Sequence, residues 1–234
     1  MSSKTWLLLF AKLLFLIFHI VDHIWAEKFY AWSMIIYHNV HQQFPNIRIP
    51  MQIISISANE VLVPLFLIHI FTHKDRVYFH RSLKFAMMTI FIIMNQKILS
   101  HDPRPWSFTE IQHINTVQNY PTQANFENIY SNKQKCAEGY GKPSGHTGFA
   151  TFVILHFCLY LTNTYNLSKK KTIVLFIFAF CYIDLIGFSR LYLAAHSANQ
   201  IAMGFSMGFM IFCLELFAKE RYESFMQGLI YKDD

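Results

Sequence analysis

The stretch KKKTIVLFIFAFCYIDLIGFSR, Lys169 to Arg190, decides the fold. Three lysines lead into an apolar run close to the roughly 20 residues that a helix needs to cross hydrocarbon, and the run closes on Ser189-Arg190. A basic cluster followed by such a run reads as a membrane helix that begins on the cytoplasmic side. Similar segments occur at about 5–24, 53–71, 83–100, 147–164 and 197–217, giving six candidate spans with this one at 172–190.

Composition agrees with that reading. The 234 residues are 53% hydrophobic and 15% charged, a balance that a soluble domain of this length reaches only with difficulty. With 24 Phe and 12 Tyr against 8 Gly and 7 Pro, long apolar segments should prevail over turn-rich β structure. The expected fold is therefore all-α, an integral-membrane bundle of about six transmembrane helices. Three parts are expected: 1–51, an N-terminal apolar helix and non-cytoplasmic segment; 52–218, the membrane domain; and 219–234, a cytoplasmic tail. The net charge of +6 does not point to nucleic acid, because the cations lie between apolar segments rather than on one face. The bilayer and an anionic substrate are the expected partners. Cys158, Cys181 and Cys213 lie in apolar stretches and Cys136 has no obvious mate, so no disulfide framework is expected.

The first segment begins after Lys4 and carries Lys12, His19, Asp22 and His23, with no small-residue cleavage site behind it. It reads as an uncleaved spanning helix, with an interfacial amphipathic helix as the alternative. Lys74, Arg76 and Arg81 share one loop and Lys169, Lys170 and Lys171 fill another, which places both loops in the cytoplasm. Alternation then puts residues 25–52, 101–146 and the turn near 190–196 on the opposite side. The sequon Asn166-Leu167-Ser168 falls in a cytoplasmic loop and should stay unmodified. Trp25, Tyr30, Trp32, Tyr37 and Trp106 fit an interfacial aromatic belt, and Trp106 is also a candidate wall of a substrate pocket.

Three polar clusters meet on the non-cytoplasmic side: Lys97 with Arg104-Pro105, Pro143-Ser144-Gly145-His146, and Ser189-Arg190 with His196. Singly, each has an ordinary explanation as a snorkelling cation, a turn or an interfacial pair. Together, three fixed cations and two histidines make a site for a tetrahedral dianion. Ser144 stands where the fourth span begins and is expected to cap it, so that the first free amides face the same anion, with Gly145 permitting close approach. Two histidines near neutral pH divide phosphoryl-transfer chemistry into a nucleophile and a general acid. No metal-ligand clustering is visible, so no cofactor and a metal-independent reaction are expected.

Read together, K-x6-RP, PSGH and SR-x5-H resemble the three-part signature of the type 2 phosphatidic acid phosphatase superfamily, here Lys97 to Pro105, Pro143 to His146, and Ser189-Arg190 to His196. The resemblance covers most of residues 50–217. It implies a six-helix bundle in which Lys97, Arg104, Ser144, Gly145 and Arg190 hold phosphate, His196 attacks, and His146 protonates the leaving group. One position departs from the pattern: the family's final acid is replaced by Gln200, four residues after His196. Its amide carbonyl can accept the imidazole N–H but adds no negative charge. The glucose-6-phosphatase and dolichyl-diphosphatase-like branches resemble this chain in having glutamine there, so catalysis is compatible with it.

The expected activity is hydrolysis of a phosphate monoester or diphosphate, whether a lipid phosphate, a polyprenyl diphosphate or glucose 6-phosphate. The alternative is a catalytically silent member serving as an accessory subunit of a larger membrane assembly. Haloperoxidase chemistry is disfavoured for a membrane-embedded chain, in which vanadate should inhibit. Resemblance places the protein in the endoplasmic reticulum or another endomembrane with its site on the non-cytoplasmic side; a mitochondrial membrane is the alternative. His156 and Asp184, polar groups inside spans, are read as partner-bonded rather than as site residues.

Overall fold

The computed structural model describes residues 3–100, 102 and 141–230. Its helices are α1 (Ser3–Gln43), α2 (Arg48–Ile56), α3 (Leu62–Thr72), α4 (Arg76–Ser100), α5 (Gly145–Thr164), α6 (Lys169–Tyr192) and α7 (Ala198–Ile230). Among the described residues, six helical stretches are long and apolar enough to cross a membrane, from Lys4–Trp25 through Arg48–Thr72 to Ala198–Met226. The protein is an all-α integral-membrane bundle, as the hydropathy pattern requires.

Local chemistry explains the boundaries. Ser168 and Ser144 both sit in extended backbone as N-caps and accept from Lys171 N–H and Thr147 N–H, which satisfies amides that the first turns of α6 and α5 leave open. The α5–α6 turn places Asn166 at φ 47°, a left-handed conformation that Asn tolerates better than most residues. Asn166 therefore has a conformational reason to stand in the sequon. The second span is not one regular helix: a π turn at Ser57–Val61 joins α2 to α3, and such turns often mark functional positions.

The helices meet through small residues. A Cβ on Gly204 would run into the Ser144 carbonyl, and one on Gly208 into the Gly148 carbonyl, so α5 and α7 approach backbone to backbone. Close contact of this kind is how spans associate where lipid supplies no hydrophobic drive between them. Phe66, Phe149 and Phe152 pack edge to face beside that crossing. Large side chains such as Phe10, Leu13, Phe91, Ile177 and Phe178 face outward, where the bilayer covers them.

α1 runs along α7, and Lys4 pairs with Glu220 at 2.5 Å, so the start of the first span and the far end of the last share one face. Trp25, with φ −125° and ψ 19°, kinks α1 where the spanning part ends. Beyond the kink the helix lies over the turn between α6 and α7: Ser33 Oγ accepts from Ala198 N–H at 2.8 Å, and Tyr192 OH donates to the Phe44 carbonyl at 3.0 Å. Trp25 and Trp32 are exposed along it, where an aromatic belt would place them.

A buried polar chain crosses the bundle about 15 Å along α5 from His146. Glu215 receives Arg81 Nε at 3.2 Å and faces His156 Nδ1 at 2.8 Å. The other nitrogen of His156 meets Tyr78 OH at 2.7 Å, and Tyr78 OH in turn meets His69 Nε2 at 2.9 Å. Arg81 also pairs with Glu223. His156 is thus bonded on both sides, as a polar group inside a span should be. Asp184 differs from expectation: it is exposed on α6 beside an apolar hollow of about 360 Å³ that Phe18, Phe188 and Phe205 help to line. Helix rotation is the reason, since Ile183 and Ile186 take the inward face and turn Asp184 away from it.

Candidate active site

The described members of the three sequence clusters converge at one end of the bundle. Ser144 N–H donates to the Gln200 carbonyl at 2.9 Å, which fastens the start of α5 to the start of α7. Lys97, in the last turn of α4, brings its Nζ to within 3.7 Å of the position a Cβ would occupy on Gly145. Arg190, in the last turn of α6, donates to Ser55 Oγ on α2. One turn further along that span, the Asn59 amide meets His146 Nε2 at 3.1 Å. Lys97, Gly145, His146 and Arg190 therefore surround a common region, with His146 half-buried at its edge. Arg104, Trp106, Cys136 and the side chain of Tyr30 lie outside the described residues.

The turn that carries His196 is built from the end of α6. Ala195 and His196 both direct their N–H groups to the Arg190 carbonyl, at 3.0 and 3.3 Å, and Ala194 adopts φ 52° to make the reversal. A left-handed alanine costs about 1–2 kcal/mol, so this turn holds local strain beside the histidine. Seating His196 directly after the Arg190 helix end ties the two residues together through the backbone.

His196 and Gln200 are both fully buried. Gln200 Oε1 lies 3.3 Å from His196 Nδ1 and accepts Ser197 N–H at 3.2 Å. Ser197 N–H can only donate, which identifies the nearby amide atom as oxygen; His196 Nδ1 then carries a proton, and in the neutral ring Nε2 keeps its lone pair. Gln200 is itself confined, because a Cβ on Gly141 would collide with its amide group.

Sequence reasoning did not assign Ser55 or Asn59 to the site. The available signal was the run Ser55, Ser57, Asn59, Glu60 at the start of an otherwise apolar span. It also missed the group around Lys142. This lysine pairs with Asp22 of α1 and stands 3.6 Å from Asp102, while Asn199 Nδ2 donates to Asp22 Oδ1 at 2.6 Å. Burial pushes the Asp102 carboxyl above its ordinary value; Lys142 opposes that shift and Asp22 adds to it.

Comparison with known proteins bears on this constellation. A model of the PAP2 superfamily matches residues 79–221, more than half of the chain. No curated protein matches the sequence. The fold is similar to the crystal structure of the first transmembrane PAP2 type phosphatidylglycerolphosphate phosphatase from Bacillus subtilis, with a TM-score of 0.62 and 20% identity over 94% of this chain and 98% of that one. At that identity the likeness speaks to the fold.

Proposed function

Because the chain belongs to the PAP2 superfamily, we propose that it is a membrane phosphatase in which His196 is the nucleophile and His146 the general acid. The observation that carries this reading is the hydrogen bond of His196 Nδ1 to Gln200, which leaves Nε2 as the attacking atom. Nε2 bonds to phosphorus as the ester P–O bond breaks, and protonated His146 gives its proton to the departing oxygen. Water then attacks phosphorus as the P–Nε2 bond to His196 breaks, neutral His146 takes up the water proton, and inorganic phosphate leaves. Lys97, Arg104 and Arg190 neutralise the equatorial oxygens, aided by the amides that follow Ser144 at the helix start and by close approach at Gly145. The Asn59 amide faces His146 Nε2 and limits its rotation, donating from Nδ2 to the neutral ring and accepting through Oδ1 from the protonated one.

The charge-neutralising role of a metal falls here to side chains of the protein, and turnover is expected to be unchanged by EDTA. The solved relative is, by its title, a phosphatidylglycerolphosphate phosphatase, and a site at one end of a membrane bundle suits a lipid phosphate before a soluble sugar phosphate. Topology follows the basic loops: the site lies on the non-cytoplasmic side, most simply of an endomembrane, and the exposed Asn166 remains free of glycan.

The test is phosphate release by detergent-purified protein from phosphatidylglycerolphosphate, phosphatidate, a polyprenyl diphosphate and glucose 6-phosphate. His196→Ala should reduce release at least about 1,000-fold, as expected for loss of a nucleophile. Equal release by wild type and variant, or none from any substrate, would move the protein to the accessory-subunit reading.

A further inference from the structure

We infer that Asp22, on the first spanning helix, is a positioning residue for the phosphatase reaction, acting through a buried ion pair with Lys142. This rests on the function proposed above and adds a residue outside the three signature clusters.

The geometry ties every cluster to that pair. Lys142 directly precedes Pro143 and stands four residues before His146. Asp102, 3.6 Å from Lys142 Nζ, stands two residues before Arg104. Asn199, bonded to Asp22 Oδ1, stands between His196 and Gln200. Backbone contacts reinforce the arrangement, with Gly141 N–H donating to the Asp102 carbonyl at 2.6 Å and Ser100 Oγ to the Lys142 carbonyl at 2.8 Å. Asp22 and Lys142 are both buried.

Two physical consequences follow. Engagement by Asp22 occupies Lys142, so its ammonium does not compete with Lys97 and Arg190 for the phosphate. Asp22 also braces the start of α7 from a second direction. Asn199 Oδ1 accepts Ser197 Oγ–H, and Ser197 N–H is the donor that orients Gln200 Oε1 toward His196. A carboxylate is absent from position 200, yet one stands behind it at the end of this chain of hydrogen bonds. Catalysis is sensitive to such bracing, because a misplacement of about 1 Å can cost on the order of 100-fold in rate.

The experiment measures kcat and KM for phosphatidate in detergent micelles, and orthovanadate inhibition, for wild type, Asp22→Asn, Lys142→Met and the double variant. The double variant removes the buried pair together and leaves only the partly exposed Asp102 without its cation, so it keeps a folded protein available if either single change misfolds. Expected is a fall in kcat of about 10- to 100-fold with KM within about threefold, the double variant being no worse than the more damaged single one. Vanadate should bind correspondingly more weakly, as a mimic of the transferring phosphoryl group. A double variant with wild-type kcat per folded molecule overturns the inference, whatever its stability, because it leaves Asp22 a structural role alone. Failure of the function proposal is distinguishable, since it shows as no His196-dependent release in the wild type.

Discussion

Two buried polar clusters lie along the same bundle and have opposite charge balance. In the one around His156, Arg81 is matched by Glu215 and Glu223, and the histidine bridges Glu215 to Tyr78. In the one around His196, the carboxylates Asp22 and Asp102 are taken up by Lys142, while Lys97 and Arg190 bring further positive charge to the Gly145–His146 corner. A cluster whose cation is outnumbered by carboxylates locks helices together; one with a cationic surplus is suited to receiving an anion.

That contrast breaks most visibly at Glu215. Glu215→Ala strips a buried arginine and histidine of their shared acceptor and should cost about 3–5 kcal/mol of stability. Thermal denaturation in detergent measures the loss, and kcat of the remaining folded fraction should match wild type within about twofold if the cluster is structural. A large fall in kcat at unchanged stability would join the two clusters functionally and end the contrast.

At the other end the effect should invert, with rate lost more than stability, because only neutral donors lose their acceptor. Gln200→Leu removes the acceptor that sets the His196 tautomer and should lower kcat by about 100-fold, near 2.7 kcal/mol of barrier. Full turnover by that variant would remove Gln200 from the mechanism. The smallest effect is expected at the turn itself. Ala194→Gly relieves a left-handed alanine and should raise stability by about 0.5–1 kcal/mol, read as a higher melting temperature. A drop in kcat alongside that rise would show that the strained turn helps to aim His196.

Much of the fold was legible because its signals are local. Each span carries its own hydropathy, Ser144 and Ser168 cap helices within three residues of their bonding partners, and Lys169–Lys171 mark an edge of the bilayer regardless of what lies across from them. The site was legible in part for the same reason. His196 and Gln200 are one helical turn apart, so the contact between them follows from spacing. Asn59 was not legible, because the π turn that carries it and the His146 it meets are 87 residues apart.

What the sequence by itself determined is the membrane bundle, the order of its spans and the groups proposed to handle phosphate, all properties of segments taken one at a time. Only the tertiary structure decided which face each helix presents. That choice left Asp184 at the surface, bonded His156 into a closed chain, and brought Asp22 to Lys142 across 120 residues. The physical reason is that hydropathy does not set helix rotation. Rotation is set by packing against neighbours, as where Gly204 and Gly208 of α7 meet α5, and by the partners that buried charges need.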